Sequence, residues 1–240
     1  MKIATINIDW FKKSKELQKR IQEEIKEQAV DFLIVNENID NVSFADDYFV
    51  YHSKSIPTNE IFQHLDYGIY LKGKTPIRTS IYSKYQSIEQ LTTMDSYTSI
   101  CHKFRVEDKI ITIYGTIIGT WGIKFQEEIA RKELDNFKTD IQKILIDNEN
   151  VFFAGDFNTS FIEKEKRQLA SINSRNEIIK MTDKFQIFRA TEKLEHCIDH
   201  IFMSDRLKNT VISKTTTFLG EDSLKDNPHK GICVEFNFLK

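Results

Sequence analysis

The chain has 240 residues, with 34 Lys and Arg against 36 Asp and Glu, for a net charge of −2. At 40% hydrophobic and 29% charged it has the balance of a folded globular protein rather than a disordered one, and no stretch approaches the roughly 18 consecutive apolar residues of a membrane span. The missing basic excess argues against a protein that tracks long duplex with its whole surface, while leaving room for a local basic patch.

The N-terminal run Lys2–Ile8 alternates and is rich in β-branched residues, the pattern of a strand. Ser14 is placed to cap a helix reaching about Gln28, with an apolar stripe of Leu17, Ile21, Ile25 and Ala29. Phe32-Leu33-Ile34-Val35 is a continuous apolar run, as expected of a strand covered on both faces. The middle of the chain changes character. Tyr48–Tyr51, Tyr67–Leu71, Ile77–Tyr82, Ser99–Val106 and Ile110–Ile117 are short strand-like runs, and Glu107-Asp108 joins the last two as a tight hairpin. Phe125–Leu145 carries the longest helical pattern, with Ile129, Leu134, Phe137, Ile141 and Ile144 as core positions. Val151–Ala154 is a second buried strand. Helical stretches follow at about Glu163–Leu169 and Asn176–Asp183, and strands at Cys197–Met203, Val211–Phe218 and Gly231–Phe238.

With 3 Pro, 8 Gly, no linker and no internal sequence repeat, residues 1–240 read as one domain. The order of elements fits sandwiched sheets with helices outside. Cys101, Cys197 and Cys233 are odd in number, widely spaced and free of any CxxC pattern, which argues against a disulfide framework or a zinc site. The N-terminus has no features of a signal peptide. A cytoplasmic monomer without membrane contact is the expectation.

The informative polar residues follow apolar strands. The first strand runs into Asn7, the second into Asn36-Glu37-Asn38, and the strand at 151–154 into Gly155-Asp156-Phe157-Asn158. Ligands of open α/β sheets bind outside the carboxyl ends of strands. If these strands run parallel in one sheet, Asn7, Glu37, Asp156 and Asn158 meet at one edge. Asp199-His200 sits in a further strand, and His229 precedes the last one. Such an oxygen-rich set suits magnesium, which takes one or two carboxylates with water and phosphate. An imidazole held by a carboxylate supplies an acid, a base or a phosphate contact. Trp10 and Trp121 follow strands near the same rim, where a ring either packs or stacks on a base.

In their order and spacing these residues resemble the metal-dependent endonuclease/exonuclease/phosphatase superfamily. The resemblance covers nearly the whole chain. It rests on Asn7, Asn36-Glu37, Gly155-Asp156-Phe157-Asn158, Ile198-Asp199-His200-Ile201 and a terminal His before a last strand. It implies a four-layer α/β sandwich of two packed mixed β-sheets flanked by helices. It also implies phosphoester hydrolysis with Mg2+ or Mn2+, on nucleic acid or a phosphorylated small molecule. By the same resemblance Glu37 and Asn7 place the metal, Asp156 activates water, Asn158 holds phosphate oxygen, His229 steadies the scissile phosphate, and Asp199 and His200 form the paired segment beside the site.

Two positions depart from the family pattern. Pro228 stands where the Asp of a terminal Ser-Asp-His is expected; either Asp226, two residues earlier, serves as the metal ligand in its place, or that carboxylate is lost. Ile117 stands where many members have His. A nuclease is the first expectation. A small-molecule phosphatase or phosphodiesterase and a catalytically weakened phosphate- or nucleic-acid-binding module are the alternatives.

Overall fold

The computed structural model describes residues 1–10, 13–55, 76–119, 128–165, 172–207, 211–219 and 229–237. In chain order its strands are β1 (Lys2–Asn7), β2 (Phe32–Ile39), β3 (Phe49–His52), β4 (Pro76–Ser83), β5 (Ser87–Leu91), β6 (Ser99–Val106), β7 (Lys109–Ile117), β8 (Val151–Asp156), β9 (Ile187–Arg189), β10 (Asp199–Ser204), β11 (Val211–Phe218) and β12 (Gly231–Asn237). The helices are α1 (Lys15–Gln28), α2 (Glu128–Asp147) and α3 (Ile172–Lys184). The strand expected at 67–71, Trp121, Asp226 and Pro228 lie outside the described residues.

Sheet one has the order β11-β12-β1-β2-β4-β3, and sheet two β5-β6-β7-β8-β10-β9. In each, the third and fourth strands are parallel and every other neighbour is antiparallel. Both parallel pairs are joined through a helix, β1–α1–β2 and β7–α2–β8. The two sheets therefore share one topology without a repeat in sequence.

Local chemistry accounts for the elements. The Ser14 hydroxyl accepts from the Leu17 N–H at the start of α1, and such a cap contributes about 1 kcal/mol. Ala29 closes the helix in the left-handed region (φ 48), its N–H donating to the Lys26 carbonyl. The i+4 stripe then buries Ile21 and Ile25 against Ala4, Ile6, Leu33 and Val35 of sheet one. On the far side, Leu134, Phe137, Ile141 and Ile144 of α2, with Ile178 and Met181 of α3, cover Phe153 and Phe202 of sheet two. Between the sheets, Ile3, Phe32, Ile34 and Ile81 face Ile100, Phe104, Ile113, Phe152 and Ile201. The layers run helix, sheet, sheet, helices, as the sequence pattern predicts. Gly115 marks how close the sheets come: a Cβ there would lie 2.9 Å from the Thr79 methyl and 3.2 Å from that of Ile34.

Two strands have no clear sequence signal. β5 (Ser-Ile-Glu-Gln-Leu) is an edge strand with three of its five residues exposed, so it lacks an alternating apolar face. β9 has three residues, too few to show a period. The helix expected from Glu163 is a turn over 163–164 in its described part, with no helix through 165.

Candidate active site

The strands expected in one sheet are divided between two, β1 and β2 in sheet one and β8 in sheet two. Each belongs to its own parallel crossover, and packing of sheet on sheet brings their carboxyl ends to the same end of the sandwich. Asn7 lies opposite Asn36 in sheet one, and Asp156 opposite Asp199 in sheet two. The antiparallel register of β10 on β8 sets the two aspartates side by side, each almost fully buried.

Asn7 reaches across from sheet one to both of them. Its backbone N–H donates to Asp199 Oδ1 (3.1 Å) and its Nδ2 to Asp156 Oδ2 (3.0 Å). The Asp9 N–H donates to Asn7 Oδ1 (3.0 Å) and fixes the orientation of the amide. Asn158, in the left-handed region at φ 49, wraps round Asp156 from the other side. Its N–H donates to Oδ1 (2.8 Å) and its Nδ2 to Oδ2 (3.2 Å) and to the Ile118 carbonyl (2.9 Å). Both of its amide hydrogens thus have acceptors inside the protein, and the residue braces Asp156.

His229, immediately before β12, is 9% exposed. Its Nδ1 lies 2.9 Å from Asp199 Oδ2 and 3.9 Å from Asp156 Oδ2. Burial by itself would push the imidazole pKa down. The charges of Asp199 and Asp156, the Asp199 hydrogen bond and the charge of Glu37 outweigh it and raise the value to about 9. The ring is therefore an imidazolium at neutral pH, donating from Nδ1. Asp156 is pushed up out of the ordinary carboxylate range. Burial is the main cause; His229 opposes it, Asp199 adds to it, and the Asn7 and Asn158 hydrogen bonds oppose it. Glu37 follows Asn36 at φ 54 and is half-buried.

Asp156, Asp199 and His229 bring their ligand atoms within 4.8 Å of one another. The charge of Glu37 also acts on His229, and the carboxylates make the site a set of hard oxygen donors. That chemistry fits a divalent cation of the magnesium type.

Two expected site residues lie elsewhere. His200 follows Asp199 on the strand, so its side chain points to the opposite face. There Nδ1 pairs with the Thr191 hydroxyl (3.1 Å) and Nε2 with the Thr159 carbonyl (2.8 Å), among Phe157, Phe161 and Phe202. Burial pushes its pKa down to about 4, against weaker help from those hydrogen bonds, and the ring is a neutral packing element. Trp10 is 5% exposed and packs edge-on against Phe44 beside α1, which leaves no face for a base. Ile117 is fully buried in β7 opposite Asp156.

Sequence reasoning gave no role to Asn36. Its signal was present: a carboxamide directly after the apolar run Phe32–Val35, and the structure buries it fully.

Comparison with known proteins agrees with this fold. No curated protein matches the chain. Among solved structures, a 3' phosphatase, NExo, from Neisseria bound to a product DNA hairpin superposes with a TM-score of 0.71 at 12% identity, covering 99% of this chain and 100% of that one. An endonuclease/exonuclease/phosphatase family protein from Leptotrichia buccalis gives 0.65 at 15% identity, covering 99% and 100%. The endonuclease domain of TRAS1, a telomere-specific non-LTR retrotransposon, gives 0.68 at 12%, covering 100% and 99%. At such identities these likenesses show the fold. Residues 4–220 match the model of one family, and the chain belongs to the Endonuclease/Exonuclease/phosphatase family.

Proposed function

We propose that the chain is a divalent-cation-dependent phosphoesterase, with magnesium or manganese as the ion and phosphodiester bonds of nucleic acid as its first substrate class. One observation carries this reading: Asp156, Asp199, His229 and Asn7, drawn from both sheets, form one buried hydrogen-bonded cluster at the strand ends. Glu37 and Asn7 are the residues that would hold the cation, with Asp226 as a third candidate outside the described residues. A bound divalent ion would supply charge for the phosphate oxygens and the leaving group.

The chain's own groups divide the remaining work. Asp156, with its raised pKa, takes a proton from the water whose oxygen attacks phosphorus, as the phosphorus–oxygen ester bond breaks. Asn7 and Asn158 hold that carboxylate in place. Asp199 holds His229 as a cation through Nδ1, so the ring meets a phosphoryl oxygen through Nε2 and steadies the charge that builds there. The three cysteines, all free and buried, suit a reducing compartment and a cytoplasmic protein.

The test is hydrolysis of an activated phosphodiester and an activated phosphomonoester with and without Mg2+, comparing wild type with Asp156→Asn. Metal-dependent turnover that disappears in the variant is expected. Turnover that survives the substitution or a chelator would overturn the mechanism. The near-neutral charge also favours a second reading, a small phosphorylated substrate. Salt separates the two, because binding along a polynucleotide weakens steeply as condensed counterions compete, and a small ester responds much less.

A further inference from the structure

Asn36 stands within β2 of sheet one, yet its carboxamide bonds both sheets: Nδ2 reaches the Arg78 carbonyl and Thr79 in sheet one, and both ends of the amide reach sheet two. Its Oδ1 accepts from the Asp156 N–H (3.0 Å) and its Nδ2 donates to the Thr116 carbonyl (3.0 Å). In the parallel register of β7 on β8, Thr116 lies opposite Gly155 and Ile117 opposite Asp156. The Thr116 carbonyl and the Asp156 N–H thus face one another across the ladder, and one carboxamide holds both. The amide is itself held from sheet one, where Nδ2 donates to Thr79 Oγ1 (2.9 Å), which donates on to the Thr98 carbonyl (2.7 Å).

The neighbouring backbone is shaped to admit it. Gly155 has φ 144, and a Cβ there would lie 1.8 Å from the Thr116 oxygen and 3.2 Å from Asn36 Oδ1. Only glycine takes that conformation without strain, and only glycine leaves room for the carboxamide. On the far side of Asp156, the Ile118 N–H donates to the Asp156 carbonyl (3.0 Å), and the Ile118 carbonyl accepts from Asn158. The peptide groups on both sides of the Asp156 Cα are therefore fixed.

We infer that Asn36 is a positioning residue: its carboxamide clamps the β7–β8 ladder from the opposite sheet and sets where the Asp156 carboxylate stands relative to Asn7 and His229. The inference rests on the hydrolase reading only for its kinetic consequence. The clamp fixes the backbone that carries the proposed base, and it ties that position to the packing of sheet on sheet.

Asn36→Leu, similar in shape, removes both ends of the clamp, and Thr79→Val removes only the hydroxyl that accepts from it. In Asn36→Leu, amide hydrogen exchange at Asp156, read without substrate, is expected to speed up about a hundredfold relative to neighbouring β8 amides. The kcat for whichever phosphoester the wild type hydrolyses is expected to fall about a hundredfold with little change in KM, the size expected when a reacting group shifts by about an ångström. Thr79→Val is expected to move both quantities the same way by less. Exchange that rises evenly across both sheets with kcat unchanged would mark a merely structural residue and overturn the inference. If Asn36→Leu does not fold, Thr79→Val decides, and wild-type values of both Asp156 exchange and kcat would overturn it. If the wild type hydrolyses no phosphoester, the hydrolase reading fails separately, and the clamp stands or falls on Asp156 exchange alone.

Discussion

The two halves of the sandwich use the same backbone plan for opposite ends. In sheet one the parallel pair β1–β2 is followed across the ladder by β4, which sets Thr79 opposite Asn36. In sheet two the parallel pair β7–β8 is followed by β10, which sets Asp199 opposite Asp156. These positions correspond in topology. Where the residues are neutral, the polar groups are spent inside the protein, and Asn36 alone bonds Thr79, Thr116 and Asp156. Where they are acidic, two carboxylates are buried side by side; Asn158, just after β8, braces Asp156, and the other partners come from outside sheet two, Asn7 from β1 and His229 from just before β12. The plan supplies a place where two strand ends oppose each other. The side chains decide whether that place becomes a seal or a reactive centre.

Each substitution that swaps the character of one half tests this contrast. Asp156→Asn gives the acidic half the neutral character of the other, and it is expected to lower kcat by about a thousandfold or more, in the range of a lost general base. Because the substitution also removes a carboxylate buried against Asp199, the apparent melting temperature in chelator should hold or rise. A fall in both activity and stability would show that Asp156 is an ordinary structural acid.

Asn36→Asp is the reverse exchange. It keeps an acceptor for the Asp156 N–H but faces an anion towards the Thr116 carbonyl with no donor to offer. A buried charge without a partner costs about 3–5 kcal/mol, to be read by urea denaturation. A loss below about 1 kcal/mol, the scale of one ordinary hydrogen bond, would mean that the seal tolerates charge and that the contrast between the halves is wrong.

His229→Ala probes the acidic half through pH. The imidazole pKa is about 9 in the folded protein and about 6.5 in an unfolded chain. The folded state therefore binds the proton more tightly. Its stabilisation is fully present below about pH 6.5 and is lost as pH rises through 9, with a total of about 3 kcal/mol. The stability difference between wild type and His229→Ala, measured in chelator, should shrink over that window. A difference that is flat from pH 6 to 9.5 would place the proton elsewhere.

Ser14→Ala is the control with the smallest effect. It removes the α1 cap for about 1 kcal/mol and should leave kcat untouched, because α1 packs on the outer face of sheet one, away from the cluster. A changed kcat would show that the helix layer takes part in placing the site.

Much of this was legible in the chain itself, because burial on both faces leaves a strong mark. Phe32–Val35 and Val151–Ala154 are continuous apolar runs, and the polar residues that end them, Glu37 and Asp156, stand out against that background. The α1 cap and the stripes of α1 and α2 could be read in the same way. β5 and β9 could not. One is an edge strand with little apolar surface, and the other is stabilised by its neighbour β10 rather than by its own pattern. Trp10 looked like a rim residue because it follows a strand, and the aromatic ring of Phe44, distant in sequence, claims its face instead.

The sequence by itself determined the family, the layered α/β architecture and most of the polar residues at the strand ends, since these follow from local periodicity and from motifs in order. Tertiary structure alone decided which of two neighbours takes part. Asp199 and His200 are adjacent and both are candidates by sequence, but side chains alternate across a strand. The register of β10 on β8 turns Asp199 towards Asp156 and His229 and leaves His200 among phenylalanines. It also decided the role of Asn36, whose partners Thr116 and Asp156 lie 80 and 120 residues away and meet it only because one sheet packs on the other.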